Sequence, residues 1–331
     1  MNRNVIITGS GMYAPGRVLE NSYFNELLGT DVDTWLRENL TIERRHWCED
    51  DESTADLCEA AAKQAIENAG LTPNDIDLLI VATDTPEYIS PSTASVLQHR
   101  LGAKKTGTFD MNTACAGFVT AMDVASKYIK SDDQYTNALV IGAYAMSKYL
   151  DMNDKKTVTL FADGAGAVIL SAEESEQKNG YLTGELRTDG QYNSWMGIYG
   201  GGTNQPSNQE VIDNKDHKLK FVKRIPAEIN PEIWPEIITD MCTRAGITPE
   251  EVSHYFLTQI NINGIHETMD RLGVDRSRAH TIMKEYGYTG SACVPMAFHD
   301  AMKSGKPEKG DYVIFLGSGG GLAFAGTLFK Y

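Results

Sequence analysis

The sequence predicts an α/β protein made of two similar halves that pack about a pseudo-twofold axis. Three observations predict it. Leu78–Ala82 and Ala138–Gly142 are continuous apolar runs, the kind of strand that a parallel sheet buries on both faces. Ala61–Ala82 (AAKQAIENAGLTPNDIDLLIVA) and Ile237–Thr258 (IITDMCTRAGITPEEVSHYFLT) share a helix, Ala-Gly, an apolar residue, Thr-Pro, two polar residues and a strand, at an offset of 176 positions. The same offset lays Thr113–Gly117 on Thr289–Cys293 and brings the strand before Gly142 within one residue of Val313–Gly317. Neither half buries its open face alone. The halves divide into 1–172 and 173–331, and their equivalent strand–helix joints are expected to meet.

Composition narrows the function. The 331 residues carry 45 acidic and 30 basic side chains, a net charge of −15. That balance disfavours nucleic acid and anionic membranes as partners. The N-terminus runs directly into a strand-like segment, and no apolar run reaches transmembrane length. The five cysteines, at 48, 58, 115, 242 and 293, form no CxxC pair. No metal site or disulfide framework is expected, and a reducing, cytoplasmic compartment is.

In chain order, Val5–Thr8 opens as a strand that breaks at Gly9 and Gly11, without the remainder of a dinucleotide fingerprint. Asp31–Arg45 is partly helical, with Trp35, Leu36 and Leu40 as its apolar residues. It ends in Glu43–Trp47, a cationic patch suited to a phosphorylated ligand or an acidic carrier protein. A surface run with its own carboxylate partners reads equally well. Ser53 caps the helix Thr54–Ala69, which Gly70 stops. The strand Leu78–Ala82 ends at Thr83–Pro86, where ligand-facing residues of open sheets lie. A helix, Ser92–Arg100, follows Pro91.

Thr106–Phe109 is a strand, and Phe118, Ala121, Met122, Val124, Ala125 and Tyr128 recur with helical period. Cys115 sits at the joint between them. Free N–H groups and the positive end of the helix dipole meet there. A thiol at such a place ionises at lower pH than a free one and is nucleophilic. The alternative is an inert buried cysteine. Farther on, Ala162–Leu170 lacks side-chain bulk at its glycines, and Gly190–His217 is polar, irregular loop. Near the end, Gly317–Gly321 holds four glycines in five residues. Backbone N–H groups of such a loop suit the negative oxygen of an acyl-transfer site.

DMNTACAGF at 110–118, FADGAGAVIL at 161–170, YGYTGSACVP at 286–295 and GSGGGLAFAGTLF at 317–329 together resemble the β-ketoacyl-acyl-carrier-protein synthase III family of the thiolase superfamily, over nearly the whole chain. The resemblance implies a five-layered αβαβα thiolase fold and a homodimer. It also implies acyl-CoA as substrate, with no permanently bound cofactor, and an acyl carrier protein as acceptor carrier. Cys115 matches the nucleophile, and its N–H with that of Gly320 matches the oxyanion hole. Trp35 matches a residue stacked on the CoA adenine. Two usual CoA arginines are altered, to Asn39 and Lys155, for which Arg37 and Arg44 could compensate. The larger departure is that Gln259 stands where the family has histidine, and Tyr288 where it has asparagine. Both can donate hydrogen bonds to an enolate, and neither acts as a base near neutral pH.

Val81–Thr85 also resembles the segment of 3-hydroxy-3-methylglutaryl-CoA synthases that carries a glutamate base, which makes Asp84 a candidate base or a simple turn cap. Glu87 is a weaker candidate. Three readings stay open. One is an acyltransferase that loads Cys115 from acyl-CoA and passes the group to a malonyl-thioester or other acceptor in a specialised fatty-acid or polyketide-like pathway. Another is a non-decarboxylative condensing enzyme or thioesterase using Asp84 or water as base. The last is a weakly active partner subunit of a related ketosynthase.

Overall fold

The computed structural model describes residues 2–331. A nine-stranded sheet runs through the molecule. In chain order its strands are β1 (Asn2–Tyr13), β2 (Leu78–Ala82), β3 (Gly107–Met111), β4 (Asn137–Ala145), β5 (Asp163–Ser175), β6 (Gly180–Thr188), β7 (Val252–Leu257), β8 (Tyr312–Gly319) and β9 (Ala323–Lys330). Their spatial order is β7-β8-β9-β6-β1-β5-β4-β2-β3.

The pairings repeat between the halves. β1 lies antiparallel to β5, β5 antiparallel to β4, and β4 parallel to β2. In the second half β6 is antiparallel to β9, β9 antiparallel to β8, and β8 parallel to β7. A single pairing, Val5 with Gly180, joins the two sets. β5 runs on to Ser175, paired with β1 along its length, and β6 begins at Gly180.

Six longer helices complete the layers: α1 (Thr54–Asn68), α2 (Thr93–Leu101), α3 (Gly117–Ser131), α4 (Ile229–Ala245), α5 (Ile262–Arg271) and α6 (Cys293–Lys303). The helices α3 and α6 pack between the two sets of strands, α1 and α2 cover one outer face, and α4 and α5 flank the other. This is the five-layered αβαβα arrangement. α3 starts at Gly117 and α6 at Cys293, the offset of 176 read from the repeat. Ser53 and Asp56 close a capping box at the start of α1.

The glycines of β5 explain how tightly the central layer sits. A Cβ at Gly166 would lie 2.6 Å from the Met296 backbone nitrogen, and one at Gly164 would lie 2.7 Å from the Met296 sulfur. Only glycine lets β5 and α6 approach this closely. Within Gly190–His217, read as irregular loop, a short strand Met196–Gly197 pairs with Lys220–Phe221, and a helical turn forms at Gln209–Asp213. Among the described residues, no helix is long and apolar enough to cross a membrane.

Candidate active site

β3 delivers the chain to Asn112–Ala116, a tight elbow before α3. Ala114 there adopts φ 47°, a conformation that costs a non-glycine residue energy and persists where its surroundings enforce it. The Asn112 side chain accepts the Ala114 N–H at 3.0 Å, and the Thr113 carbonyl accepts the Ala116 N–H at 3.1 Å. The elbow holds Cys115 just ahead of the helix, 3% exposed, against a cavity of about 610 Å³. The glycine loop comes up beside it: a Cβ on Gly319 would lie 2.6 Å from the Cys115 nitrogen. Gly320 lines the same cavity. Among the loop hydrogen bonds of the described residues, none engages the Cys115 or Gly320 N–H.

The helix terminus alone does not decide the state of the thiol. Burial, then the Asp84 carboxylate, hold Cys115 well above the usual thiol range, while the Tyr288 hydroxyl, within hydrogen-bonding reach, pulls it back down. Burial thus works against the helix terminus and favours the protonated thiol. Cys293, behind it at the start of the equivalent helix, is pushed up to about 12 by burial. Tyr288 is fixed by two backbone hydrogen bonds, its N–H donating to Leu160 (3.1 Å) and its carbonyl accepting from Ala162 (2.9 Å). Its ring leans on Phe161 with centroids 5.4 Å apart.

Asp84 lies two residues past β2. Its Oδ1 is sealed from solvent with no hydrogen-bond partner, and burial raises the carboxyl from 3.8 to about 6. The sign of the consequence follows from linkage. The folded state holds this proton more tightly than the unfolded chain, so stability falls as pH rises from about 4 to 6 and stays lower above that window. The penalty is up to about 3 kcal/mol. Asp84→Asn should therefore raise the melting temperature at pH 7.5, by ~3–6 °C, and by less at pH 5. A variant that melts lower than the parent at both pH values would refute the raised Asp84 carboxyl.

The cavity is a channel. Trp35, 57% exposed, stands at its mouth, and Lys156, Lys223 and Arg224 also line it. Leu40, Leu160, Ile225 and Ile260 line its walls, and Cys115, Tyr288 and Gly320 converge on it with Ser318. Of the four residues expected to contact CoA, only Trp35 is part of this lining. Arg37 is held by Asp33 (2.7 Å) and Glu43 (2.8 Å). Arg44 sits 3.4 Å from both Glu20 and Glu285. Those carboxylates pair with the arginines where they stand, although the Arg44 Nε makes no hydrogen bond. Lys155 is replaced in the lining by its neighbour Lys156, since successive residues of the turn Lys155–Val158 point about 100° apart. Lys223 and Arg224 went unnoticed in the sequence. Their adjacency just before Pro226 was the available signal.

Residues 109–190 match the profile of 3-oxoacyl-[acyl-carrier-protein] synthase III, and residues 242–331 match the profile of its C-terminal part. A β-ketoacyl-[acyl-carrier-protein] synthase III of Staphylococcus epidermidis is 35% identical over 328 residues, covering 99% of both chains. The chain belongs to this synthase III family. A Staphylococcus aureus relative of the same description is 34% identical over the same length. Among solved structures, 3-oxoacyl-[acyl-carrier-protein] synthase III of Aquifex aeolicus superposes with a TM-score of 0.89 at 32% identity, covering 99% of this chain and 100% of that one. The priming β-ketosynthase of the R1128 polyketide pathway gives 0.87 at 26% identity, covering 99% and 96%. The fold is the thiolase fold of these synthases.

Gln259 departs from its expected place in a synthase III site. Its Oε1 accepts the Ile282 N–H at 2.8 Å and its Nε2 donates to the His280 carbonyl at 3.1 Å. It does not line the channel. A fully buried carboxamide needs such partners, and the 280–282 segment supplies them. Gln259 thereby braces the chain that leads to Tyr288. The nearby histidines are engaged elsewhere. His254 Nε2 lies 3.4 Å from Asp311, and His280 Nε2 lies 3.0 Å from Asp300. Glu87 accepts the Ala55 N–H at 2.9 Å and serves the start of α1. Among the described residues, no cluster of side chains could hold a metal ion.

Proposed function

We propose that this protein is an acyl-CoA-dependent condensing enzyme that carries its acyl group on Cys115. The observation behind this reading is the channel from Trp35, Lys156, Lys223 and Arg224 down to Cys115, Tyr288 and Gly320. CoA has the matching layout: an adenine to stack, phosphates for cations, a long slender arm and a thioester at its tip. Arg224 offers a planar fork to a phosphate, and the lysines offer point charges. The apolar wall accommodates the arm. At the tip, the N–H groups of Cys115 and Gly320 face the oxygen that becomes negative on attack.

The acyl group then passes to a malonyl-thioester, on an acyl carrier protein, in a specialised fatty-acid or polyketide-like pathway. Carbon dioxide leaves and the malonyl oxygen becomes an enolate oxygen. Tyr288 supplies the hydrogen bond to it, since the Gln259 carboxamide is already engaged. Two copies pair through β3, the edge strand of the sheet, because an open edge adjoining the nucleophile's elbow is otherwise unprotected. The orphaned Asp84 oxygen favours one second reading: non-decarboxylative condensation, with Asp84 as the base.

Incubation with a panel of acyl-CoAs, followed by intact-protein mass, tests the main reading. An increase equal to one acyl group is expected, and no adduct with any donor would overturn it. Tyr288→Phe separates the steps. Condensation should slow ~10²-fold or more, as for loss of an oxyanion donor. Loading should slow only about tenfold, the cost of one hydrogen bond near the thiol. Equal losses in both steps would sink the assignment of Tyr288 to the enolate.

A further inference from the structure

Arg45, in the middle of the cationic run Arg44-Arg45-His46, is completely buried. Burial pulls the guanidinium down to about 9, against the fields of Glu20 and Asp33, so it keeps its charge at neutral pH. Among the described residues its hydrogen-bond partners are not carboxylates. One terminal nitrogen donates to Asn21 Oδ1 at 2.7 Å and the other to the Leu19 carbonyl at 3.4 Å, while Nε has no partner. The Phe24 ring lies 4.4 Å, centroid to guanidinium carbon, from it. Gly287 packs against its stem: a Cβ there would lie 2.9 Å from the Arg45 Cβ.

A charge buried without a directly bonded counter-charge is costly, and this one has a directional consequence. A guanidinium only donates, so it fixes which way the buried Asn21 carboxamide points. With Oδ1 turned to Arg45, Nδ2 donates to Asp33 Oδ1 at 2.7 Å and to the Ile42 carbonyl at 2.8 Å. The reversed carboxamide would set donor against donor and oxygen against carboxylate. Asp33 opens the helix Asp33–Leu40, and the same oxygen accepts Arg37 Nε at 2.7 Å. Leu36 and Leu40 bury one line of this short helix. Asp33 and Arg37, also four apart, form the line beside it. Two held lines fix the rotation of the helix. Trp35 lies about 200° around from Asp33 and is 57% exposed, so its direction is set by that rotation rather than by its own packing.

We propose that Arg45 is a positioning residue for donor capture: through Asn21 it holds Asp33, and with it the rotation of the helix that presents Trp35 at the channel mouth. The proposal rests on the reading of the channel as the CoA site, with Trp35 against the adenine. Arg45 is not part of the channel lining. Its effect belongs to the nucleotide end of the donor and not to the thioester at Cys115.

The test compares butyryl-CoA with S-butyryl-pantetheine, which keeps the arm and thioester and lacks the adenine nucleotide. Single-turnover loading is read by intact-protein mass over a range of donor concentrations. Arg45→Met alone would orphan the buried Asn21 oxygen, so it is combined with Asn21→Leu. Replacing both partners of a buried hydrogen bond by apolar groups is nearly neutral to stability. In this double variant half-saturation by butyryl-CoA should rise about tenfold, the scale of one base-on-aromatic stack. Its maximal loading rate, and its loading from the pantetheine donor, should stay within about threefold of the parent. Asn21→Asp, which gives Arg45 a bonded counter-charge and turns an oxygen against Asp33, breaks the relay differently and should show the same split. Trp35→Ala should cost about tenfold in the parent and under about threefold in the double variant, because residues acting through one another do not add. Equal losses with both donors mark a merely structural role and overturn the proposal. A donor ratio unchanged in both variants, or the full Trp35 cost in the double variant, also overturns it. A parent that loads equally from both donors overturns the CoA reading of the channel mouth, and the proposal with it.

Discussion

Cys115→Ala should abolish acyl loading while leaving the fold in place. The expected fall in transfer rate is on the order of 10⁴-fold or more, the scale on which removal of a covalent nucleophile acts. No acyl adduct should remain by mass, although four other cysteines, all buried, are still present. Those thiols are poor alternatives. Cys58 and Cys293 are pushed far up by burial, and neither is part of the channel lining. Losing the 3%-exposed thiol removes little volume, so stability should change by only about 1 kcal/mol. Because burial favours the protonated thiol, parent loading should climb with pH through neutrality and show no plateau below about 8. An alanine variant that still acquires an acyl group would place the nucleophile elsewhere.

How much of this was legible in the sequence depends on the kind of interaction. The doubled architecture was, because two strands and two helices at one offset must bury equivalent faces. Gly117 and Cys293 start α3 and α6 at that offset, as read. The elbow at Cys115 was legible from the small residues at a strand–helix joint, whereas its approach to the glycine loop came only from the family resemblance. Side-chain partners were not. Arg37 and Arg44 looked available to a ligand because their carboxylates, Asp33 and Glu43 for one, Glu20 and Glu285 for the other, come partly from distant segments. The choice of Lys156 over Lys155 turns on a rotation of about 100° that depends on where a one-turn helix begins.

Gln259 and Cys115 illustrate a deeper limit. Sequence position put a carboxamide where a catalytic donor is expected. Burial required that carboxamide to satisfy itself, and the backbone at His280 and Ile282 did so first. For Cys115, the helix terminus was visible in the sequence, and the solvent exclusion that opposes it was not.

Gly319→Ala should cripple the enzyme through geometry rather than chemistry. The added methyl would lie 2.6 Å from the Cys115 nitrogen, 2.7 Å from the Thr113 carbonyl oxygen and 3.0 Å from the Ala114 Cβ. Two of these atoms are backbone in an elbow already strained at Ala114, so no flexible side chain can swing aside. Either the glycine loop or the elbow must shift, and each carries one of the two N–H groups proposed to meet the same oxygen. A displacement near 1 Å costs about 10²-fold in a reaction of this kind, and overpacking costs ~1–3 kcal/mol of stability. Gly320→Ala is the control. Its methyl would meet only Met196, at 3.5 and 3.6 Å, which is ordinary contact, and its N–H is retained. Loading rates and melting temperatures for the pair decide the point. If Gly319→Ala loads within threefold of Gly320→Ala, the close fit of loop to elbow is not what aligns the two donors on the thioester oxygen.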